Sequence, residues 1–208
     1  MLLRSLSTTS LFIAGMAFAA SPLIASAEAV IGKPAPALSG AAADGSTINL
    51  SSYKGKTVVL EWTNNECPFV KKHYESGNIP SLQKDAAANG IVWLQVISSA
   101  PGKQGYVDGK TAIRLNAERK AVPTNTILDP EGKIGKEYDA QTTPHIFIIN
   151  PEGLLVYKGG IDSIASNKQE DIAKAENYVS SALSALVSRK AVSNSSTKPY
   201  GCSIKYAS

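Results

Sequence analysis

The chain has 208 residues, 21 Lys and Arg against 17 Asp and Glu, a net charge of +4, and two cysteines. This length is ample for one hydrophobic core and short for two. The charge excess is mild and scattered, with no basic run to suggest a nucleic-acid partner, and two cysteines allow at most one internal disulfide.

The first residues read as a leader. Arg4 gives a short positive start, Leu11 to Ala20 is an apolar core of signal-peptide length, and Ala25-Ser26-Ala27 is a small-x-small cleavage site. Ala27-Glu28-Ala29 offers a second site two residues on. Ser21 and Pro22 interrupt the apolar stretch before it reaches the roughly 20 residues a spanning helix needs. No cysteine stands at the cleavage site to carry a lipid anchor. The expectation is export to a periplasmic or extracellular space, with 1–27 removed, no stable membrane insertion, and conditions under which disulfides form.

Past a Pro/Gly-rich stretch at Ile31–Pro36, Gly45 to Leu50 predicts a short strand, and Thr57 to Trp62 predicts a buried one, being β-branched and aromatic. Cys67 follows that strand and directly precedes Pro68, well placed at a first helical position. A thiol there meets unpaired backbone N–H groups and the positive end of the helix dipole, which favour the thiolate. Lys71 and Lys72 are expected to add positive charge nearby. A thiolate is both nucleophile and metal ligand, so the segment points to redox chemistry or metal binding.

The helical pattern breaks around Ser76-Gly77-Asn78 and Pro80, resumes over Ser81 to Ala88, and stops at Asn89-Gly90. Ile91 to Ile97 predicts a strand. A helix lies within Gly109 to Val122, with Ile113 and Leu115 on its apolar side, and Thr126 to Leu128 predicts a further strand. His145 to Ile149, the turn Asn150-Pro151-Glu152-Gly153 and Leu154 to Tyr157 predict an antiparallel hairpin. A last helix is expected from about Asn167 to Val187. The tail 188–208 begins as a Ser/Lys/Asn-rich stretch that would pass for disordered. Its end, Lys198 to Tyr206, has two tyrosines, an isoleucine and Cys202, and predicts a segment that docks. The order of elements describes an α/β sandwich with a central mixed sheet flanked by helices.

The strand–Cys67–helix junction, Thr142-Thr143-Pro144 before a hairpin, and the closing helix resemble thioredoxin-like proteins. The lead-in Gly32 to Pro36 and the strand around Ile48 resemble the N-terminal extension of the peroxiredoxin and thiol-specific-antioxidant branch. A Glu-Cys-Pro-Phe-Val core and a Lys-Pro-Tyr-Gly-Cys tail are similar to its peroxiredoxin-like group. The resemblance covers about 30–187, within a domain taken as 28–187. It implies Cys67 as nucleophile, Pro144 as a cis-proline facing it, and Glu61 as a buried acid that moves protons for the cysteines. It departs in two places: Val70 stands where the second cysteine of the thioredoxin motif belongs, and Leu60 and Asn64 replace the Pro and Thr of Pro-x-x-x-Thr-x-x-Cys.

Cys202 has two readings. A structural disulfide to Cys67 would close a very long loop, worth about 4–5 kcal/mol in the chain-entropy model. Alternatively, Cys202 is the resolving thiol on a flexible tether, releasing Cys67 from a mixed disulfide or a sulfenic acid. Glu61 either shuttles protons from a buried site or reaches solvent or a lysine at a sheet edge. Thr143, Pro144, His145, Pro68 and Phe69 are the candidate substrate-binding residues, and His73 is placed on a helix surface. The expected partners are a protein thiol or disulfide, or a peroxide, and a thiol electron donor; no cofactor is expected. A zinc or copper site built from Cys67, Cys202, His73 and His145 is the alternative. A silent binding module with a permanent disulfide is the third reading.

Overall fold

The computed structural model describes residues 29–207, so the expected leader 1–27 lies outside them. Strands β1 (Ser39–Ala42), β2 (Thr47–Asn49), β3 (Val58–Trp62), β4 (Val92–Ile97), β5 (Asn125–Leu128), β7 (His145–Ile149) and β8 (Leu155–Gly159) form one sheet. Its order is β2-β1-β5-β4-β3-β7-β8. β4 runs parallel to β3 and β5, while β7 runs antiparallel to β3 and to β8. The expected mixed sheet and the 145–157 hairpin are both present, and the fold is thioredoxin-like.

β3 lies inside the sheet and is buried along its whole length. Period-two alternation sends Val58, Leu60 and Trp62 to one face and Val59 and Glu61 to the other. The first face packs with Val92, Leu94, Val96, Phe147, Ile149 and the short helix α4 (Lys133–Glu137). On the second, Val59, Trp93, Ile146 and Ile148 meet helices α1 (Pro68–Glu75), α2 (Asn78–Ala88) and α5 (Tyr178–Val187).

The local pattern misread some elements. β1 was not expected, because Ser-Gly-Ala-Ala has little β-propensity. It forms because Gly40 lets the strand approach β5: a Cβ there would lie 2.6 Å from Ile127 and 2.9 Å from Ile134. α2 begins at Asn78, before the expected Ser81, since Pro80 falls in a first turn whose N–H groups have no intrahelical acceptor. In α3 (Gly109–Glu118) Ala112 is the buried residue and Ile113 is 50% exposed, because Ile113 and Leu115, two apart, do not share a helix face.

The last helix is two pieces, a 3-10 segment Gln169–Lys174 and α5. Between them Ser163 N donates to Glu176 O and Glu176 N to Ser163 Oγ, so the chain is held extended there. The Asn177 side chain then accepts from Ser180 N at 2.9 Å and starts α5 afresh.

The tail docks on the fold from Val192 onward, within the stretch that would pass for disordered. Lys158 N donates to Ser195 O and Thr197 N to Lys158 O, covering the exposed edge of β8. Farther on, strand β9 (Cys202–Ser203) pairs antiparallel with β6 (Thr142–Thr143) in a separate two-stranded ladder. Ile204 packs against the core. No helix among the described residues is long and apolar enough to cross a membrane.

Candidate active site around Cys67 and Cys202

Cys67 sits at the end of β3 as the N-cap of α1, with extended backbone (φ −72°, ψ 124°) and Pro68 as the first helical residue. A tight turn delivers it there: Asn64 Oδ1 accepts from Glu66 N at 2.9 Å, and Cys67 N donates to Asn64 O at 3.1 Å. Asn64, which replaces the motif threonine, therefore spends its side chain building the turn. The N–H groups of Phe69 and Val70, in the first turn of the helix that Cys67 starts, have no acceptor within the helix.

Cys67 is fully buried and joined to Cys202 by a disulfide that spans 135 residues, with the two Cα atoms 6.0 Å apart. The loop before the hairpin lies against it. Thr143-Pro144 is a cis peptide, as the resemblance implied, and the Thr143 carbonyl oxygen lies 3.1 Å from the Cys67 sulfur. Thr143 is also the register partner of Cys202. Gly201 makes this approach possible, because its φ of +143° suits glycine and an added Cβ would collide with the Thr143 carbonyl. Pro68 is exposed and Phe69 half-buried beside the sulfur.

Glu61 is completely buried, which overturns the alternative of a solvent contact. Tyr74 OH donates to its Oε1 at 2.6 Å, and Trp93 Nε1 and Gln83 Nε2 donate to Oε2 at 2.8 and 3.4 Å. Burial raises the carboxyl above its ordinary range, against the nearby Arg119 charge and these hydrogen bonds, which lower it. Arg119 stacks over the Tyr74 ring, 3.8 Å from its centroid. The bonds to Glu61 come from this polar cluster, and none comes from Cys67.

Both histidines are buried, correcting the surface placement of His73. His145 accepts from Gln141 N on Nδ1 and packs against Phe147 at 4.5 Å, so it shapes the loop from within. Burial, reinforced by the Lys158 charge, holds His145 down to about 3. Burial also lowers His73, to about 4, with Asp162 raising it and Lys72 lowering it.

The tyrosine of the tail completes the site. Tyr200 OH donates to Asp162 Oδ1 at 2.5 Å, which leaves its oxygen to accept from His73 Nε2 at 3.1 Å and Lys72 Nζ at 3.4 Å. Asn78 Nδ2 donates to His73 Nδ1 at 2.8 Å, consistent with a neutral ring carrying its proton on Nε2. Lys72, expected as free charge near the thiol, is buried and paired with Asp162 at 3.4 Å. Lys71 stays exposed. The quoted Lys-Pro-Tyr-Gly-Cys string held the clue to Tyr200. Asp162 had none, since it lies in a loop and meets Lys72 only through the fold.

The proposed four-ligand metal set is not assembled: both sulfurs are spent on each other, and each histidine is engaged separately. Among the described residues no group of three or more His, Cys, Asp or Glu side chains converges to hold a metal ion.

The architecture recurs in solved structures. An uncharacterized conserved protein from Geobacillus kaustophilus superposes with a TM-score of 0.72 at 26% identity, covering 86% of this chain and 93% of that one. A hypothetical protein from Sinorhizobium meliloti 1021 gives 0.69 at 21% identity, covering 86% and 96%. The thioredoxin domain of a thiol-disulfide oxidoreductase from Bacteroides vulgatus gives 0.50 at 22% identity, covering 70% and 96%, a likeness of fold. No curated protein matches the sequence. The AhpC/TSA family model matches residues 31–158, the stretch that runs from the N-terminal lead-in through β3, Cys67 and the cis-proline loop to β8, and the chain belongs to that family.

Proposed function

We propose that the chain is an exported thiol-disulfide oxidoreductase in which Cys67 and Cys202 alternate between dithiol and disulfide. The observation that carries this reading is the Cys67–Cys202 bond itself, made at a helix start and against the loop of a cis-proline. In the reducing direction the Cys67 thiolate attacks one sulfur of a partner's disulfide and forms a mixed disulfide, and one partner thiolate leaves. The Cys202 thiolate then attacks the Cys67 sulfur, which releases the second partner thiolate and closes the internal disulfide. A donor thiol reopens it by attack on Cys202, the half-buried residue of the pair, with Cys67 leaving as a thiolate stabilised by the helix start; a second donor thiol then attacks the donor sulfur held on Cys202, releasing the Cys202 thiolate and the oxidised donor disulfide. Glu61 takes up and returns protons for the cysteines, and Pro68, Phe69, Thr143, Pro144 and His145 meet the partner. The leader 1–27 directs the chain to the periplasm or outside, where the donor and partners are thiol proteins.

Peroxide reduction is the second reading, supported by membership of the AhpC/TSA family. Cys67 thiolate would displace an alcohol or water from the peroxide and become a sulfenic acid. Cys202 would condense with it, releasing water. With Asn64 in place of a threonine hydroxyl, this route is expected to be slow.

A redox titration of the leaderless protein, read by alkylation and mass spectrometry, tests the dithiol cycle. A midpoint between about −120 and −270 mV supports it, and a bond that resists reduction below about −300 mV makes the disulfide a structural staple and refutes it.

A further inference from the structure

The contacts that seat the tail beside Cys67 are independent of the sulfur–sulfur bond. Thr197 Oγ1 accepts from Gly160 N at 3.1 Å and contacts Tyr157 OH at 2.7 Å. Three residues on, the Tyr200 ring stands edge-to-face on Phe69, 5.9 Å between centroids, and its hydroxyl enters the slot formed by Lys72, His73 and Asp162. The Lys72 and Asp162 side chains are 0% and 2% exposed, so the phenol is bonded to a charged pair shielded from water. Beyond Cys202, Ile204 N donates to Gln141 O and Tyr206 OH to Ala140 O. The half-cystine is thus pinned on both sides, and the firmest pin lies two residues before it.

We propose that Tyr200 is a positioning residue for Cys202: its phenol, seated on Asp162 between Lys72 and His73, keeps the tail docked when the Cys67–Cys202 bond is open. The inference deepens the dithiol cycle proposed above and rests on it. A docked tail holds the resolving thiol opposite Thr143, so that closure needs only local motion. It also covers Cys67, so that an outside sulfur reaches the nucleophile only when the phenol leaves its slot. Leaving costs the buried Asp162 carboxylate its hydroxyl donor, which sets the strength of the latch.

The test uses the full-length chain carrying Cys202→Ser, in which no internal disulfide can form. Cys67 is alkylated with iodoacetamide under native conditions and followed by mass spectrometry. Adding Tyr200→Phe, which keeps the ring on Phe69 and removes the hydroxyl, is expected to speed alkylation about tenfold or more, the size of a lost hydrogen bond to a charged group. Hydrogen exchange should quicken along the tail while β3 and β4 stay protected. Equal alkylation rates, or exchange that rises equally throughout, overturn the proposal. The Cys202→Ser chain supplies a check that needs no change at Tyr200: the amide of Ile204 must remain protected without the disulfide, and its loss of protection is equally fatal. In the unaltered chain, two glutathione molecules reduce the bond to the dithiol and leave as glutathione disulfide, and Tyr200→Phe should lower the effective concentration of Cys202 about tenfold. A wild-type bond that glutathione cannot open would sink the dithiol cycle, while the alkylation result would still decide the latch.

Discussion

Thr143 and Cys202 face each other across the short antiparallel ladder of β6 and β9, and the carbonyl of Thr143 is also the oxygen beside the Cys67 sulfur. One peptide group, directly before the cis-proline, therefore locates both cysteines. The flexible tether expected before Cys202 is instead a docked strap.

The two cysteines have separable roles in the proposed cycle. Cys67→Ser should abolish disulfide reduction in a turnover assay. Cys202→Ser should leave the first attack intact and accumulate a mixed disulfide, or with peroxide a sulfenic acid, at Cys67. Mass spectrometry of the non-reduced protein checks this; a Cys202→Ser protein that turns over normally and traps nothing would remove the resolving role.

Gly201→Ala tests the close approach of the tail to β6. The new Cβ would run into the Thr143 carbonyl, a backbone atom that cannot swing aside, and its φ of +143° is strained for alanine. Such overpacking costs about 1–3 kcal/mol. Because the strain is present only while the tail is docked, it should loosen the tail, and in the Cys202→Ser chain adding Gly201→Ala should speed alkylation of Cys67 by about five- to a hundredfold. An unchanged rate would show that the tail adjusts without loss.

Glu61→Gln should change the pH dependence of stability. Burial raises the folded-state carboxyl above its ordinary 4.5. Below that pH the group is protonated in both states and costs nothing. As pH rises, the unfolded chain ionises first, and stability is lost until the folded-state value is passed. The slope is at most about 1.4 kcal/mol per pH unit. Urea unfolding between pH 4.5 and 8 should show the variant gaining on the wild type as pH rises. A difference that stays flat with pH would mean the carboxyl is not raised.

The histidines act in the opposite direction. His73 and His145 are held down to about 4 and about 3, chiefly by burial, against an ordinary 6.5. Their contribution to stability is complete above pH 6.5 and is lost as pH falls toward those values, because the unfolded chain binds the protons first. Nuclear magnetic resonance of the imidazole protons should show neither ring titrating between pH 7.5 and 5. A midpoint near 6.5 for either ring would place it in water.

What the sequence by itself determined is what neighbouring residues decide. β-branched residues at 57–59, Pro68 after Cys67, the Asn150–Gly153 turn and the apolar runs of β7 and β8 each act within a few positions, and they reveal the sheet, the start of α1 and the hairpin. The Cys67 site was legible in those local strings, and the Thr143-Pro144 loop through the family resemblance. Tertiary structure alone decided that Cys67 meets Cys202 across 135 residues. It also decided that Glu61 and both histidines are sealed from water, and that Lys72 turns inward to Asp162 and Tyr200. Burial and ion pairing depend on which elements pack over a residue. A lysine on a helix reads the same in sequence whether water or a carboxylate from a distant loop lies above it.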